Sequence, residues 1–318
     1  MTPPDSPPPS PGDGAPHHPT TESRATWQPT GAHGARLLRD QSVLAEYRDG
    51  SDMEPTASPR PYLHPVRSTG GTPLTDVRPA DHVHHMGVSM ALPVVNGTSF
   101  WGGRTYVRDQ GSTMLDNHGR QQPVTTSAEG QHLVQDLVYL DEHDAPLLRE
   151  RRTVTHADLP DGAWALGWDS ELVATETDLR FDSPATNGRV GAGYGGILWR
   201  LGTADDRQVL SAGGTGEERA HGSTSPWVAF VQHRAASVVT LVLAQPTPAL
   251  PWFLRATEYD GAGPAVAWDT PRTVAQGEML RLGLVGAVAD RALDVDEAAA
   301  LAEQALDALL AATPSSRS

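Results

Sequence analysis

The chain has 318 residues, a formal net charge of −15 and 38% hydrophobic residues. This length accommodates one large domain, and the hydrophobic fraction is typical of a folded protein. The acidic balance, without any run of basic residues, argues against binding to nucleic acid or to an anionic membrane. Because no segment approaches the roughly 18 consecutive apolar residues of a membrane helix, and the N-terminus lacks a secretory signal pattern, we expect a cytoplasmic protein.

Cysteine and lysine are both missing from the sequence, since all 24 basic residues are arginine. The first absence excludes disulfides, thiol nucleophiles, iron–sulfur clusters and cysteine zinc sites. The second excludes a Schiff-base lysine, a pyridoxal-phosphate anchor and a Walker phosphate-binding loop. Catalysis therefore has to use His, Asp, Glu, Tyr, Ser, Thr or Arg, or a metal ion held by nitrogen and oxygen ligands.

The N-terminal segment is rich in Pro, Ser, Gly and Thr and carries few apolar anchors. It cannot bury enough surface to offset the entropy of ordering, so we predict a disordered tail over residues 1–30. Residues 31–292 then show many short segments of β character between turn signals, and no convincing amphipathic helix lies between Asp40 and Ala289. The segments LVQDLVYL and PLLRERRTVTH, joined by DEHDA, predict a long β-hairpin.

The C-terminal segment LDVDEAAALAEQALDALLAATP changes to helical spacing of its apolar residues. Asp294, followed three residues later by Glu297, matches a capping box and predicts a helix over residues 293–313, ended by Pro314. The fold class we predict is all-β: one large antiparallel β-sandwich over residues 31–292, followed by a C-terminal α-helix.

The glycine-rich segment GAGYGG, Gly191 to Gly196, satisfies the G-x-G-x-x-G pattern of a dinucleotide-binding loop. A dinucleotide fold requires a helix to open at the last glycine, whereas this motif runs into ILWRL, which has the character of a strand. We therefore interpret the glycines as positions where the backbone turns or lies close to a ligand, with Tyr194 exposed among them.

The segment RPADHVHHMG, residues 78–87, carries three histidines within four positions. Interpreted as a strand, it places His82 and His84 on one face. Asp81 and His85 then point to the other face. Three roles remain open for the histidines: ligation of a divalent metal ion, proton transfer, and hydrogen bonding within the fold.

Several residues outside this segment are candidates to contact a metal ion or a ligand. His64, His118 or a carboxylate would supply a third ligand to the metal ion. Trp227 and Trp252 offer stacking surfaces for a sugar, although core packing is the commoner role of tryptophan. The arginines that would clamp a carboxylate or a hydroxyl-rich ligand, unless they are simply solvated, are Arg60, Arg67, Arg78 and Arg255.

Several separated motifs, in order, carry a resemblance to a known family. They are RPYLHPVRSTGGTPLTDVRPADHVHHMG, NGTSFWGG, SPATNGRVGAGYGGILWR, SPWVAF and PWFLR. In these motifs the chain resembles the PmoA-like family of bacterial proteins. The HxHH pattern of that family corresponds to His82, His84 and His85, its HP element to His64, and its GYGG to residues 193–196.

The resemblance implies a galactose-mutarotase-like β-sandwich and an association with sugar catabolism alongside sugar oxidoreductases. The family's name is borrowed from a membrane subunit of methane mono-oxygenase, and methane oxygenation is not expected of a chain without a membrane segment. The hypothesis that follows is a carbohydrate-processing enzyme, an epimerase, mutarotase, lyase or hydrolase, acting on a sugar or an oxidised sugar derivative. The alternative is a non-catalytic sugar-binding or accessory protein for a partner oxidoreductase.

Under the first hypothesis the histidine segment carries the chemistry. His82, His84 and His85 handle protons, and Asp81 orients a histidine or acts as a base. His82 and His84 are also the candidate ligands of a divalent metal ion. The residues expected to position the substrate are Arg78, His64, Tyr194, Arg255 and Trp252. The distant carboxylate that would complete an acid–base pair is Glu171 or Glu258.

Overall fold

Two antiparallel β-sheets, packed face to face around one core, make up the body of the protein. The computed structural model describes residues 24–246 and 249–312, so most of the predicted tail, and Pro314, lie outside the described residues. Within this part of the chain, one sheet has eleven strands, a second has nine and a third has two. The predicted all-β sandwich is confirmed.

The regular elements are numbered in chain order. The strands are β1 (Thr26–Pro29), β2 (Ala35–Arg39), β3 (Ser42–Arg48), β4 (Tyr62–Val66), β5 (Val88–Val95), β6 (Thr98–Phe100), β7 (Thr105–Val107), β8 (Gly111–Thr113), β9 (Arg120–Glu129), β10 (His132–Leu140), β11 (Pro146–Asp158), β12 (Trp164–Ala174), β13 (Leu179–Asp182), β14 (Gly196–Arg200), β15 (Asp206–Ser211), β16 (Gly214–Thr215), β17 (Trp227–Arg234), β18 (Ser237–Ala244), β19 (Trp252–Arg255), β20 (Gly261–Pro264), β21 (Arg272–Val274) and β22 (Met279–Ala289). The helices are α1 (Glu217–Ala220) and α2 (Val295–Ala312).

The order of the strands in each sheet determines which loops lie side by side at its edges. The main path of the eleven-stranded sheet runs β1-β2-β3-β4-β5-β14-β20-β19, with β6 and β13 also paired to β5, and β21 to β13. The nine-stranded sheet runs β16-β15-β17-β18-β22-β12-β11-β10-β9. The long hairpin predicted from LVQDLVYL and PLLRERRTVTH is the β10–β11 pair. The ribbon of two strands is β7 with β8.

Alternation along the strands builds the core between the two sheets. On β12, Trp164, Leu166 and Trp168 point inward, and on β14, Ile197 and Trp199 do the same. Because successive side chains of a strand point to opposite faces, the residues between them lie on the outer face of each sheet. The two outer faces are therefore the surfaces on which a ligand can bind.

A polar network lies inside this core. The side chains of Glu150 and Arg152 are both fully buried and form an ion pair at 2.7 Å. Glu150 also accepts a hydrogen bond from the Tyr139 hydroxyl at 2.6 Å, and Arg152 donates one to the Tyr47 hydroxyl at 2.7 Å. The charges are thus paired and hydrogen-bonded, as buried charges have to be.

The C-terminal helix α2 covers part of the outer face of the nine-stranded sheet. Its predicted capping box is confirmed, since the amide of Glu297 donates to the Asp294 carboxylate and the amide of Asp294 donates to the Glu297 carboxylate. The helix begins two residues later than the predicted 293–313. No helix in residues 24–246 or 249–312 is long and apolar enough to cross a membrane.

The predicted boundary of the N-terminal tail is wrong. The predicted tail over residues 1–30 ends too late, because β1 pairs with β2 and buries Trp27 against the core. The short helix α1, four residues long, lies in the region where no amphipathic helix was predicted. Its one turn is too short to carry a periodic pattern, so the sequence offers no signal for it.

Candidate functional site

Residues 78–87 form two consecutive turns between β4 and β5, and we call this segment the histidine turn. The amide of His82 donates to the Pro79 carbonyl, and the amide of His85 donates to the His82 carbonyl, both at 2.9 Å. The Arg78 amide donates to the His85 carbonyl across the turn. The prediction of an extended strand is wrong here, because the turns satisfy these backbone groups locally.

The two turns bring all three imidazoles into contact. The ring centroids of His82 and His85 lie 4.5 Å apart with the rings stacked, and those of His84 and His85 lie 4.8 Å apart. The centroids of His82 and His84 lie 5.9 Å apart. His85 therefore belongs to the same cluster as the other two, and the predicted division of these residues between two faces is wrong.

The cluster lies on the outer face of the eleven-stranded sheet. On β14, Leu198 and Arg200 alternate with core residues and point outward, and on β19, Phe253 and Arg255 do the same. Strands β14, β20 and β19 are neighbours in the sheet, and β5, which follows the histidine turn, pairs with β14. Chain segments far apart in the sequence thus meet at one surface.

Aromatic rings surround the imidazoles on this surface. Trp101 lies 5.6 Å from His85 and 4.4 Å from Tyr194, measured between ring centroids. Tyr259 lies 5.0 Å from His82. Tyr194 is half-buried against Trp101, so it is less open than the sequence suggested. We define the histidine site as His82, His84, His85, Trp101, Tyr194, Phe253, Arg255 and Tyr259.

A buried arginine holds the histidine turn in place. The guanidinium of Arg60, which is 1% exposed, donates a hydrogen bond of 2.7 Å to the backbone carbonyl of His84. Its other hydrogen bonds go to the Ser89 hydroxyl and to the carbonyls of Ala57, Ser58 and Trp101. Burial lowers the pKa of Arg60 to about 10, which leaves the group positively charged at neutral pH. Arg60 is thus a structural residue rather than the ligand clamp that the sequence suggested.

One histidine is oriented by a carboxylate. Nδ1 of His82 lies 2.7 Å from the carboxylate of Asp81, and 34% of the His82 side chain is exposed. The hydrogen bond from His82 lowers the pKa of the Asp81 carboxyl. Because the carboxylate occupies Nδ1, the Nε2 atom of His82 is free to exchange a proton with a ligand.

The other two histidines are held in the neutral form. Burial, reinforced by the positive charge of Arg60, lowers the pKa of His84 to about 3. Burial and the neighbouring His84 lower the pKa of His85 well below its usual value of 6.5. Nδ1 of His85 is buried and has no hydrogen-bond partner among the described residues. The site therefore presents neutral imidazoles that accept or donate hydrogen bonds without carrying charge.

The geometry bears on the metal prediction. Among residues 24–246 and 249–312, no three His, Asp or Glu side chains are placed to hold a metal ion. The stacked rings of His82 and His85 direct their nitrogens along nearly parallel planes rather than toward one point. His118, a candidate third ligand, hydrogen-bonds the carbonyl of Gly103 through Nε2 at 2.8 Å. A divalent ion held by His82 and His84 alone stays a prediction.

Arg255, which was predicted to position the substrate, lies beside Phe253 and is already engaged. Its guanidinium lies 4.8 Å from the ring centroid of Phe253 and 3.0 Å from Nδ1 of His221. The carboxylate of Glu217 lies 3.6 Å away and also accepts hydrogen bonds from the amides of Ala256 and Thr257. This arrangement fixes one guanidinium at the rim of the histidine site.

Other predicted residues lie elsewhere. Trp252 is 0% exposed in the core between the sheets, so the prediction that it contacts substrate is wrong. Arg78 pairs with Asp52 at 2.9 Å, and His64 bonds the Thr75 hydroxyl at 3.0 Å; neither side chain contacts the histidine cluster. Trp227 is buried, and Arg67 donates to the Gly71 carbonyl. Glu171 pairs with Arg281 within the nine-stranded sheet, and Glu258 is exposed beside Tyr259.

Sequence reasoning missed three residues of the site. Trp101 lies in the NGTSFWGG motif and Phe253 in PWFLR, but neither was singled out, since an aromatic residue in a strand usually packs in the core. Alternation on β19 was the available signal, because Trp252 and Leu254 are inward and Phe253 is therefore outward. Tyr259 lies in a loop, where no pattern predicts its direction.

The chain matches DUF6807, a family of unknown function, over residues 34–303. The match includes the whole histidine site and extends into α2. No curated protein matches the chain. Because the matched range covers well over half of the 318 residues, the protein belongs to the DUF6807 family.

Proposed function

We propose that the histidine site carries out acid–base chemistry on a sugar or an oxidised sugar derivative. The observation that supports this proposal best is the pair of Asp81 and His82, joined at 2.7 Å with the imidazole partly exposed. A carboxylate that orients an imidazole is the recurring arrangement of a general base. The neutral His84 beside it, which is partly exposed, would hold a hydroxyl group of the substrate, and the buried His85 would support the other two imidazoles.

The proposal assigns the second proton-transfer role to Tyr259. Burial raises the pKa of its phenol above the usual 10.0, so the group is protonated at neutral pH and, as a weak acid, would release its proton only as negative charge develops on the ring oxygen. The simplest reaction is ring opening of a sugar: His82 takes the proton of the anomeric hydroxyl, the bond from the anomeric carbon to the ring oxygen breaks, and Tyr259 protonates the ring oxygen. The proton on His82 then returns to Tyr259 as the site is reset.

The surrounding side chains suit a sugar. Tyr194, which is half-buried, would pack against the apolar face of a pyranose, and it rests on the buried ring of Trp101. The guanidinium of Arg255 at the rim would bind a hydroxyl or the carboxylate of an oxidised sugar. The resemblance to PmoA-like proteins adds the same substrate class by analogy.

The experiment is a panel of aldoses, uronic acids and keto-sugars in D2O, followed by NMR for anomer exchange and for deuterium incorporation at carbon. We expect the native protein to accelerate exchange of at least one of them. His82→Gln should lose about 10²–10⁴-fold of that rate, and Asp81→Asn a smaller factor. His143→Gln is the matched control, since His143 lies at the exposed turn of the β10–β11 hairpin.

Two outcomes would overturn the proposal. Full activity in His82→Gln would remove the histidine from the chemistry. Binding of a sugar at the histidine site without any exchange would instead support the sugar-binding or accessory protein.

The metal prediction has a separate test. Elemental analysis of protein never exposed to chelator, beside a His82→Ala/His84→Ala variant, shows whether a metal ion depends on these two side chains. Stoichiometric metal lost in the variant would assign the ion to these two side chains, and metal retained equally in both would place it elsewhere.

A further inference from the structure

A large groove lies on the other side of the molecule, on the outer face of the nine-stranded sheet. Its volume is about 1180 Å³, which exceeds the 300–1,000 Å³ typical of small-ligand sites. Strands β10, β11, β12 and β22 form its floor. Its walls include the apolar side chains of Pro246, Leu250 and Pro264, together with Arg272. We call it the outer groove.

The floor of the outer groove is made of cross-strand rows. One row aligns Asp136, Arg151, Glu171 and Arg281 on the four strands. Its charges alternate and pair off, with Arg151 to Asp136 at 3.0 Å and Arg281 to Glu171 at 2.9 Å. This row therefore has little net charge to attract a charged ligand.

The next row leaves one carboxylate without a partner. It aligns Val134, Thr153, Asp169 and Gly283. The carboxylate of Asp169, an exposed residue, makes no hydrogen bond or ion pair with another described residue, because its cross-strand neighbours are a short hydroxyl side chain and a glycine. A Cβ at Gly283 would lie 2.4 Å from Pro246 and 3.2 Å from the Asp169 carboxylate, so only glycine lets the wall approach and keeps the space open.

The residues that line the outer groove indicate which class of ligand it would bind. The hydroxyl groups that line the groove are those of Ser127, Thr153 and Thr155, and the charged groups are three arginines and three carboxylates, Arg151, Arg272, Arg281, Glu129, Asp169 and Glu171. A balanced set of this kind repels neither donors nor acceptors and favours no net charge. Asp169 is exposed to the groove, so a bound molecule can reach its carboxylate, and hydroxyl groups supply donors and acceptors together.

We propose that the outer groove is a second binding site, which holds an uncharged, hydroxyl-rich chain such as an oligosaccharide. Hydroxyl groups of the chain would donate to Asp169 and accept from Arg151 and Arg281, and sugar faces would lie along the apolar walls. The site shares neither residues nor sheet face with the histidine site, so the proposal does not depend on the chemistry assigned there.

The test is calorimetric titration of the full chain with linear, uncharged oligosaccharides of one to six units. Affinity should rise at least tenfold from one unit to three, because a longer chain fills more of the groove. Asp169→Asn should weaken binding about tenfold or more through loss of a charge-assisted hydrogen bond. Thr153→Trp should abolish it by filling the floor.

Matched variants separate this site from the rest of the molecule. Asp109→Asn changes an exposed aspartate in the β7–β8 turn, and Arg149→Trp puts the same bulk on β11 beyond the groove. Both should bind as the native protein does, and so should His82→Gln. Binding lost in His82→Gln and kept in Asp169→Asn would assign the ligand to the histidine site and overturn the proposal.

The two substitutions in the groove differ in how much they can disturb the sheet. Asp169→Asn is isosteric, so it tests the site even where Thr153→Trp disturbs the sheet. Absence of binding to every oligosaccharide at millimolar concentration, or tighter binding of a diamine or of a sugar phosphate, would each contradict an uncharged, hydroxyl-rich ligand.

Discussion

The guanidinium of Arg60 donates a 2.7 Å hydrogen bond to the backbone carbonyl of His84, and among the described residues it has no carboxylate partner. A buried cation is thus solvated by protein carbonyls and one hydroxyl. The carbonyl acceptors belong to three separate segments: Ala57 and Ser58 before β4, Trp101 after β6, and the histidine turn, while the hydroxyl acceptor, Ser89, lies on β5. The position of the imidazoles therefore depends on a residue that does not take part in the chemistry.

Arg60→Lys should destabilise the protein by about 3 kcal/mol or more, because an ammonium cannot reach the acceptors that a planar guanidinium serves and buried carbonyls lose their donors. Denaturant unfolding monitored by Trp fluorescence measures this change. Arg36→Lys, on an exposed arginine paired with Glu46, should stay within about 0.5 kcal/mol. Equal effects of the two variants would mean that the acceptors around Arg60 find water instead.

The neutral histidines predict an acid-sensitive fold. The pKa of His84 is lowered to about 3 from 6.5, so the unfolded chain binds this proton more tightly than the folded chain does. The contribution of the neutral His84 to the free energy of unfolding is complete above about pH 6.5 and is lost as the pH falls toward 3. In His84→Gln the midpoint of guanidinium unfolding should therefore fall less between pH 7.5 and 4.5 than in the native protein. His143→Gln should follow the native curve, and parallel curves for all three would refute the assignment.

Much of the fold was predictable from the sequence, and part of the site was not. Alternation and turn residues predict the sheets because they reflect local pleating and burial, and the capping residues of α2 sit at their expected positions. The density of imidazoles in the sequence directed attention to residues 78–87 as a candidate site. Its geometry was not predictable, because whether residues 78–87 extend or turn depends on Arg60 and on carbonyls from distant segments. The burial of Trp252 was likewise set by its neighbours in the sheet.

The buried pair of Glu150 and Arg152 should respond differently to single and double substitution. Arg152→Met leaves a buried carboxylate without its cation and should cost about 3–5 kcal/mol. Glu150→Gln combined with Arg152→Met removes both charges and should recover part of that loss. Urea unfolding of the two single variants and the double variant gives the coupling free energy. A double variant less stable than the sum of the singles would show that the hydrogen bonds, rather than the charges, set the cost.

Asp169→Asn should leave stability at pH 7 unchanged or higher. Desolvation in the groove and repulsion from Glu171 raise the pKa of the Asp169 carboxyl above 3.8, so the folded chain binds this proton more tightly than the unfolded chain. The folded state then loses stability as the pH rises from the unfolded pKa to the folded pKa, and at pH 7 the ionised group destabilises it. Thermal unfolding at pH 7 and at pH 3 measures this. Lower stability of Asp169→Asn at pH 7 would show that the carboxylate has a structural role.

The outer face of the nine-stranded sheet has two parts, one covered by the helix α2 and one open as the outer groove. Where the helix lies, the outward positions of β12 are Ala165 and Gly167, and beyond its end the same strand continues outward with Asp169 and Glu171. A chain bound in the proposed outer groove would therefore have to end where it meets the helix. A protein shortened before Val295 would expose the alanine and valine side chains of the sheet that α2 covers. An exposed apolar patch of this kind would promote non-specific association.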